Sequence, residues 1–458
     1  MTNAIDNKKE NIKIEIPEKA RLIIETLEDA GYEAYVVGGC VRDSILGREP
    51  MDWDITTSAM PLQVKELFKR TIDTGLQHGT VTVMLGEDGF EVTTYRIDGL
   101  YEDGRHPNEV TFTRNLSDDL MRRDFTINAM AYNDRVGLVD LYDGMGDIER
   151  KLIKCVGNPI DRFSEDALRM LRAVRFSAQL GYEIDEETKK AIEILAKNLE
   201  KISAERIHTE LIKLLVSDNP DKIMTAYETG MTAVFLPEFD EAMKTEQNHP
   251  HHCYSVGVHI VKSIGYIMPN SVLRLAMLLH DIGKPRTLEI DEEGITHFHG
   301  HPAVSEQMTK EILRRLKLDN DTISKTSLLV RYHDYGNGLE PNEQLVRRAM
   351  NKIGVELFPW FLEVRRADVL AQSMYKRDEK LENIKQWRII YENVLQKNQC
   401  VSLKELKLNG SDLIKMGLKP GPNLGRILGI LLDEVIEEPE KNSEEYLQKR
   451  ALQIENEG

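Results

Sequence analysis

The alternation of apolar and polar residues changes character near Pro159. Before that point, a helical pattern over residues 17–30 leads into short alternating or apolar runs that are typical of strands. These runs span residues 35–37, 51–56, 80–85, 90–95 and 138–141. After Pro159, apolar residues recur at helical spacing almost throughout. The pattern therefore predicts a mixed α/β region followed by an all-helical one.

Polar, loop-like segments indicate where the helical part divides, near residues 218–220, 268–270 and 396–400. We expect four domains, namely a head over residues 15–158, a neck over 159–235, a body over 236–395 and a tail over 396–458. In the tail, residues 419–425 open a helix that continues with apolar residues. Free amides at such a helix start suit an RNA phosphate, and an ordinary interhelical turn is the alternative.

The composition is that of a globular protein: the 458 residues are 41% hydrophobic and 30% charged. The most apolar runs, such as residues 275–279, are too short to span a bilayer, so no membrane association is expected. Residues 1–10 are polar and do not resemble a secretory signal. The four cysteines are scattered, which favours a reducing, cytoplasmic location. The sequence does not indicate an oligomeric state.

The net charge of −17 argues against broad, nonspecific binding to nucleic acid. It is compatible with one local basic groove, because arginines cluster at residues 122–123 and 169–175. We therefore expect any RNA contact to be confined to one basic face and to be sensitive to salt.

Two aspartates near the N-terminus are candidate metal ligands. Because side chains alternate along a strand, Asp52 and Asp54 are predicted to share a face, roughly 6–7 Å apart along the strand. Carboxylates at this spacing suit Mg²⁺ ions placed around a reacting phosphate. Glu91 is a candidate third carboxylate, which accepts the proton of an attacking hydroxyl. Solvated surface charges are the alternative for these three residues.

A glycine-rich segment upstream of the aspartates suits a bound triphosphate. Its candidate binding residues are Gly38, Gly39, Arg42 and Asp43. The glycines allow the backbone to approach the phosphates, and the helix that follows directs free amides toward them. A plain tight turn is the alternative.

Two later segments add arginines and polar partners. The run at residues 122–130 is helical by pattern, and it includes the candidate nucleotide-binding residues Arg122, Arg123, Asp124 and Asn128. On such a helix Asp124 and Asn128 are one turn apart on one face, and the arginines suit phosphate oxygens. The run at residues 165–175 carries four more candidates: Asp166, Arg169, Arg172 and Arg175. Asp166 and Arg169 are predicted helix neighbours, and a surface ion pair worth under about 1 kcal/mol is the alternative.

Nine of the twelve histidines lie between His249 and His333. An ordered set of possible ligands runs through this region and beyond it: His259, His280, Asp281, His301, His333 and Asp368. Imidazole and carboxylate together suit a divalent transition metal or Mg²⁺. Three other histidines, at positions 249, 251 and 252, are expected on a surface loop. His297 and His299 are alternatives to His301.

Five motifs in order resemble a known family. They are GGxxRD at residues 38–43, the DxD pair, the segment 98–107, RRDFTINAM at 122–130 and EDxxR at 165–169. The chain resembles the bacterial-type class II tRNA nucleotidyltransferases, the CCA-adding enzymes, closely over residues 15–230 and less specifically beyond. The resemblance implies a polymerase-beta-like α/β head with a five-stranded mixed sheet, followed by an all-α neck, HD body and tail.

This resemblance implies addition of C, C and A to the tRNA 3′ end without a nucleic-acid template, from CTP and ATP. Mg²⁺ on Asp52 and Asp54 would serve the attack on the α-phosphorus, with release of pyrophosphate. The protein itself must then choose bases, and Asp166 with Arg169 suits that task. Cytosine and adenine both present an amino donor beside a ring-nitrogen acceptor, whereas guanine and uracil do not. The tRNA 3′ end and acceptor arm are the expected partners, with the elbow held by the tail.

The histidine order resembles the HD superfamily of metal-dependent phosphohydrolases. The resemblance implies one ion on His259, His280, Asp281 and Asp368, and a second on His301 and His333 with Asp281 bridging. A phosphohydrolase is one expectation for this body, and a helical scaffold that only holds tRNA is the other.

Four alternatives to full CCA addition are considered. The arm at residues 98–109 is intact, which favours full CCA addition over CC-only addition, whereas A-only addition is left open. A poly(A) polymerase shares the head, but the acidic tail of this chain argues against it. A non-catalytic tRNA-binding protein is the alternative from another class, and the Asp52 and Asp54 pair argues against it.

Overall fold

The structure is a computed structural model that describes residues 12–99 and 110–457. The chain forms two compact units, one up to Pro237 and one from Glu238. The finer division into four domains stays a prediction. None of the described helices is both long and apolar enough to cross a membrane.

The first unit is built around a mixed β-sheet. Its strands are β1 (Ala34–Val37), β2 (Ile55–Thr57), β3 (Thr71–Gly75), β4 (Thr80–Leu85), β5 (Asp88–Thr94), β6 (Arg96–Asp98), β7 (Val110–Phe112), β8 (Met130–Asn133), β9 (Gly137–Asp140), β10 (Leu152–Ile153) and β11 (Glu183–Ile184). The main sheet has the order β3-β4-β5-β2-β1-β8-β9. β2 and β5 are parallel, and the other neighbouring strands are antiparallel. β1 is buried at every position and lies between β2 and β8 in the interior of the sheet.

Within the described residues the main sheet has seven strands, so the expected number of five is wrong. β3 gives no strand signal because its sequence, TIDTG, is largely exposed and lacks alternating apolar residues. β8 begins at Met130, the last residue of the run at 122–130. It is buried at every position, so it lacks the alternation of apolar and polar residues that identifies a strand. The other predicted strands are present, although the one expected over 51–56 begins at Ile55.

The run at residues 122–130 is not a helix, contrary to its pattern; only Thr126–Asn128 forms a short 3-10 turn. Its backbone pairs instead with residues 154–156. Thr126 N donates to Lys154 O at 2.9 Å, and Val156 N donates to Asp124 O at 3.2 Å. Because these groups bond to another segment, they do not form the i→i−4 bonds that a helix requires.

Helices surround the sheet and continue through the rest of the first unit. They are α1 (Glu18–Asp29), α2 (Gly39–Ile45), α3 (Pro61–Leu67), α4 (Leu116–Met121), α5 (Gly144–Arg150), α6 (Pro159–Glu165), α7 (Leu168–Leu180), α8 (Glu186–Leu195), α9 (Ala204–Leu215), α10 (Ile223–Glu228) and α11 (Thr232–Phe235). α1 matches the predicted helix, because its buried residues follow helical spacing at Ala20, Ile23, Ile24 and Leu27.

The second unit is helical apart from one short strand pair, β12 (Glu289–Ile290) and β13 (Thr296–His297), within the described residues. Its helices are α12 (Pro237–Met243), α13 (Val256–Gly265), α14 (Ser271–Leu279), α15 (His301–Arg315), α16 (Asn320–Tyr332), α17 (Glu343–Ile353), α18 (Phe358–Ala371), α19 (Arg377–Gln396), α20 (Gly410–Lys415), α21 (Pro422–Glu437) and α22 (Glu444–Glu457). The helix predicted after residues 419–425 is α21, which buries Ile427 and Leu431 in a core of its own with α20 and α22.

Candidate functional site

An acidic cluster lies at the start of β2. Asp52 and Asp54 directly precede that strand and do not lie on it, contrary to the prediction, and both are accessible to solvent. β2 pairs with β5 so that Ile55 is opposite Val92. Because the two strands are parallel, this register places Glu91 beside Asp54. The three carboxylates expected from the sequence are therefore neighbours.

The carboxylates of this cluster repel one another. Desolvation raises the pKa of Asp54; the charge of Arg123 lowers it, and the charge of Asp52 raises it. Desolvation also raises the pKa of Glu91, and the charges of Asp54 and Asp52 add to that increase. A divalent cation would relieve this repulsion, so the donor set fits a metal that prefers oxygen ligands.

Asp119 fixes the arginine pair next to this cluster. It is fully buried and accepts hydrogen bonds from Arg122 Nη2 at 2.7 Å and Arg123 Nη2 at 3.2 Å. It also accepts a bond of 3.1 Å from Thr56 of β2. Burial alone would raise the pKa of Asp119, but the two arginines outweigh it and hold that pKa below its ordinary value. Asp119 precedes the arginines by one helical turn, and that spacing is the signal that could have identified it.

Gly38 lies against the same arginines. Its φ of 84° is in the left-handed region, and a Cβ there would lie 3.0 Å from Arg123 Nη1. A side chain at this position would therefore be strained and would crowd the guanidinium. Gly39 begins α2 and is not crowded in this way, since a Cβ there would meet only Arg42 Nη2 at 3.8 Å.

A chain of hydrogen bonds joins α2 to α7. Arg42 donates to Asp43 Oδ1 at 2.9 Å and to Asn128 Oδ1 at 2.6 Å. Asn128 Nδ2 donates to Asp124 Oδ1 at 3.1 Å, and Arg172 Nη2 donates to Asp124 Oδ2 at 2.6 Å. Burial would raise the pKa of Asp124, but Arg172 and Asn128 overcome it and hold that pKa well below the ordinary value. Asp124 and Asn128 thus meet as expected, although no helix connects them.

Three arginines surround the ring of Phe176. The guanidinium carbons of Arg42, Arg172 and Arg175 lie 5.0, 5.3 and 3.8 Å from the ring centroid. Arg175 is buried and forms an ion pair with Glu210 of α9. Arg172 and Arg175 therefore join α7 to its neighbours, and their part in nucleotide binding stays a prediction.

Asp166 and Arg169 are not neighbours on one helix, contrary to the sequence prediction. α6 ends at Glu165, and Asp166 is extended, with φ −138° and ψ 104°. The reason is local: Asp166 Oδ1 accepts a bond from Leu168 N at 3.0 Å, which stabilises the break before α7. Asp166 pairs with Arg206 at 2.7 Å, and Arg169 pairs with Glu165 at 2.6 Å. Arg206 lies forty residues away on α9, so sequence spacing gave no signal for it.

The predicted histidine set converges in the second unit. His259, His280 and Asp368 form one group of three, and Asp281, His301 and His333 form another. Within each group the ligand atoms all lie within 4.8 Å of one another, and these are the only such groups of three in the described residues. The acidic cluster of the first unit is more open than either group.

Asp281 lies between the two groups. Its Oδ2 is 3.3 Å from His280 Nε2 and 3.5 Å from His259 Nε2. Its Oδ1 is 3.2 Å from His301 Nε2 and 3.6 Å from His333 Nε2. Burial would raise the pKa of Asp281, but His280 and the nearby Lys284 hold it well below the ordinary range. The carboxylate is thus placed to serve both groups.

The imidazole rings are oriented by carbonyl groups. Nδ1 of His280, His301 and His333 each lies 2.8 Å from the carbonyl oxygen three residues earlier. A proton on Nδ1 satisfies these contacts and leaves every Nε2 as a lone pair. The Nε2 atoms converge, at 3.2 Å between His259 and His280 and at 3.3 Å between His301 and His333. Carboxylate oxygens lie close to them as well, at 3.0 Å for Asp368 and His259 and at 3.2 Å for Asp281 and His301, so this set of nitrogen and oxygen donors fits cations.

The other five histidines between His249 and His333 lie outside the two groups. His297 pairs with Asp291 at 2.7 Å, so His301, rather than His297 or His299, belongs to the ligand set. The three histidines at positions 249, 251 and 252 were expected on a surface loop, and they line a cavity of about 1030 Å³ beside His301. The arm at residues 98–109, on which the choice between full and CC-only addition rests, lies outside the described residues from Leu100 onward.

The chain is similar to known proteins over almost its whole length. The chain is 34% identical to a CCA-adding enzyme of Levilactobacillus brevis over 92% of this chain and 93% of that protein. It is 35% identical to a CCA-adding enzyme of Limosilactobacillus reuteri over 96% of this chain and 98% of that protein. The chain belongs to the CCA-adding enzymes. It is therefore a tRNA nucleotidyltransferase, a family whose reaction requires a divalent metal.

The fold agrees with this membership of the CCA-adding enzymes. A crystal structure of the Bacillus stearothermophilus CCA-adding enzyme in complex with CTP matches with a TM-score of 0.72 and 29% identity, over 96% of this chain and 99% of that one. The expected polymerase-beta-like head with a mixed sheet, followed by a helical body, is confirmed.

Family models match three parts of the chain. The poly A polymerase head domain matches residues 34–154, and a probable RNA and SrmB-binding site of polymerase A matches residues 181–243. A tRNA nucleotidyltransferase domain 2 matches residues 286–451. The last match covers the predicted body from residue 286 onward and most of the tail. The resemblance of the body to the HD superfamily stays a prediction.

Proposed function

We propose that this chain adds C, C and A in turn to the 3′ end of tRNA, using CTP and ATP and releasing pyrophosphate. The observation that carries the proposal is the cluster of Asp52, Asp54 and Glu91, whose mutual repulsion a divalent cation would relieve. Arg123, which the buried Asp119 holds next to this cluster, supplies positive charge for a triphosphate.

In this mechanism Asp52 and Asp54 would hold Mg²⁺, which would supply Lewis acidity toward the tRNA 3′-hydroxyl and the nucleotide phosphates. Glu91 accepts the hydroxyl proton, a role that its raised pKa suits. Arg42, Arg122 and Arg123 neutralise the charge of the phosphates, and Gly38 and Gly39 let the backbone approach them.

Asp166 and Arg169 choose the base in this proposal. The carboxylate accepts from the exocyclic amino group, and the guanidinium donates to the ring nitrogen. Both side chains already have partners, Arg206 and Glu165, so an incoming cytosine or adenine must share or replace them. Guanine and uracil would not compensate for these lost ion pairs, which strengthens the discrimination.

Incorporation of labelled nucleotides tests the proposal and separates it from partial reactions. A tRNA lacking CCA, incubated with CTP alone, should gain two residues and stop, and ATP should then add one more. A long A tail would indicate a poly(A) polymerase, and addition restricted to C or to A would indicate a partial enzyme. No incorporation at all would leave a non-catalytic tRNA-binding protein.

The proposed partner is the tRNA acceptor arm, with the start of α21 at Pro422 as a contact for the tRNA elbow. Since the chain carries a net charge of −17, we expect this contact to be confined to one basic face. Binding that does not weaken as salt rises would contradict this picture. A cytoplasmic location suits these substrates and the four free cysteines.

A second function is favoured by the converging Nε2 atoms of the second unit. We propose that the histidine body holds two divalent ions, of a transition metal or Mg²⁺, and hydrolyses phosphate esters such as a 2′,3′-cyclic phosphate on damaged tRNA ends. Metal analysis of the purified chain and turnover of bis-p-nitrophenyl phosphate test it. Absence of both would reduce the body to a scaffold.

A further inference from the structure

A buried arginine lies in the wall of the cavity beside the histidine centre. Arg365 is only 4% exposed, and it lines the cavity of about 1030 Å³ that His301 also lines. It is one turn of α18 before Asp368. Burial lowers the pKa of Arg365 to about 10, which leaves the guanidinium charged near neutral pH.

This guanidinium is held by aromatic rings. Its carbon lies 5.1 Å from the Trp387 ring centroid and 5.5 Å from that of Phe361. Among the described residues, Arg365 Nη1 is buried without a hydrogen-bond partner. The charges of Asp368 and Asp334 act on this guanidinium, but a buried donor atom without an acceptor still destabilises a fold, so a ligand oxygen that accepts from Arg365 would offset this cost.

The charges around the cavity are distributed by depth. Lys284 and Arg365 are buried, and Lys380 is half-buried, where it donates to Gln372 Oε1 at 2.6 Å. The acidic residues Glu340, Glu379 and Glu382 also line the cavity, but they are exposed. Of the other charged lining residues, Asp334 is half-buried and Lys376 is exposed, so the most deeply buried charges of the described wall are the cations Lys284 and Arg365.

The cavity wall also contains an imidazole nitrogen that can donate or accept a hydrogen bond. His252 lines the same cavity, and its Nδ1 is buried without a partner in the described part of the chain. A tetrahedral phosphate presents several oxygens to such groups at once, whereas a carboxylate ligand presents only two.

We propose that Arg365 is the anion anchor of this cavity, where it holds the phosphate group of a substrate against the histidine centre. The inference rests on the proposed phosphohydrolase function. Arg365 positions the phosphate while the two ligand groups act on it, and the cavity volume suits a nucleotide-sized ester. Lys380 and His252 complete the polar wall.

Binding of inorganic phosphate to the metal-loaded full chain, measured by titration calorimetry, tests the proposal. Arg365→Met should weaken phosphate binding by about tenfold or more, because it removes charge-assisted hydrogen bonds. Arg365→Lys should restore part of the affinity. Arg366→Met is the matched control, since Arg366 faces Glu363 and the Tyr266 carbonyl instead. Metal content should be the same in all four proteins.

Three results would overturn the proposal: wild-type protein that does not bind phosphate, equal affinity in Arg365→Met, or a loss of affinity that only follows a loss of metal. The test also separates this inference from the hydrolase. Arg365-dependent phosphate binding without turnover of bis-p-nitrophenyl phosphate would support the anchor and refute the hydrolase. Turnover of bis-p-nitrophenyl phosphate, together with a phosphate affinity that does not depend on Arg365, would support the hydrolase and refute the anchor.

Discussion

In the first unit the carboxylates of Asp52 and Asp54 are accessible to solvent, whereas in the second unit Asp281 and His280 are almost fully buried. The open carboxylates repel one another. The buried rings are oriented in advance by backbone carbonyls. Mg²⁺ commonly binds through one or two carboxylates together with substrate phosphates, whereas an imidazole-rich cage holds a metal without substrate. If both proposed functions hold, the first unit would acquire its metal together with the nucleotide, and the second would hold its metal in the absence of substrate.

The largest expected effect is in the acidic cluster. Asp52→Ala should lower nucleotide incorporation about a thousandfold or more, because several kcal/mol of charge stabilisation are lost. Binding of tRNA, measured by filter retention, should remain close to that of the wild type. Asp73→Asn, an exposed carboxylate on β3, is the control and should leave incorporation unchanged. Incorporation by Asp52→Ala near the wild-type rate would refute the role of the cluster.

The next largest effect should be a loss of metal from the second unit that leaves the activity of the first unit unchanged. Asp281→Asn removes the carboxylate shared by both groups, so metal affinity of the second unit should fall about a hundredfold or more. Elemental analysis after dialysis measures this loss, and nucleotide incorporation should not change. Asp291→Asn, whose carboxylate contacts His297 outside the ligand set, should keep the metal. Equal metal content in both variants would remove the distinction drawn between the units.

The third prediction concerns stability and pH. The pKa of Asp124 is depressed in the folded state, so this residue stabilises the fold above its unfolded pKa of about 3.9 and loses that contribution as pH falls. Asp124→Asn should lower the free energy of unfolding by about 2 kcal/mol at neutral pH, through weaker bonds to Arg172. Denaturant titrations should show this difference shrinking below about pH 4. A difference independent of pH would contradict the assignment.

The smallest effect concerns base choice. Asp166→Ala or Arg169→Ala should relax discrimination against UTP and GTP by about tenfold, since each mismatched polar group costs roughly 1–3 kcal/mol. The ratio of kcat/KM for CTP and UTP measures it, and the dependence on Mg²⁺ should be unchanged. Glu187→Ala, an exposed carboxylate in the first turn of α8, is the control. Unchanged discrimination in both variants would contradict the role of the pair.

The sequence predicted those features that depend on local pattern. The order of motifs led to the correct family, and every expected ligand of the histidine set reached one centre. The pattern failed where distant segments compete for the same backbone groups. Residues 122–130 have a helical pattern, but the Thr126 amide donates to Lys154 O and not to a carbonyl group one turn earlier in its own segment. Likewise, nothing in the spacing of Asp166 revealed Arg206 as its partner, because that contact exists only after α7 and α9 have packed.

Asp119 has a consequence for mutational surveys of this chain. It ties Thr56 of the strand beyond Asp54 to both arginines of the 122–123 pair. Loss of this one acid would therefore displace together the strand that follows Asp54 and the two arginines proposed to bind phosphate. A screen for inactive variants would therefore return Asp119 with the same phenotype as a proposed metal ligand, although its carboxylate is fully buried.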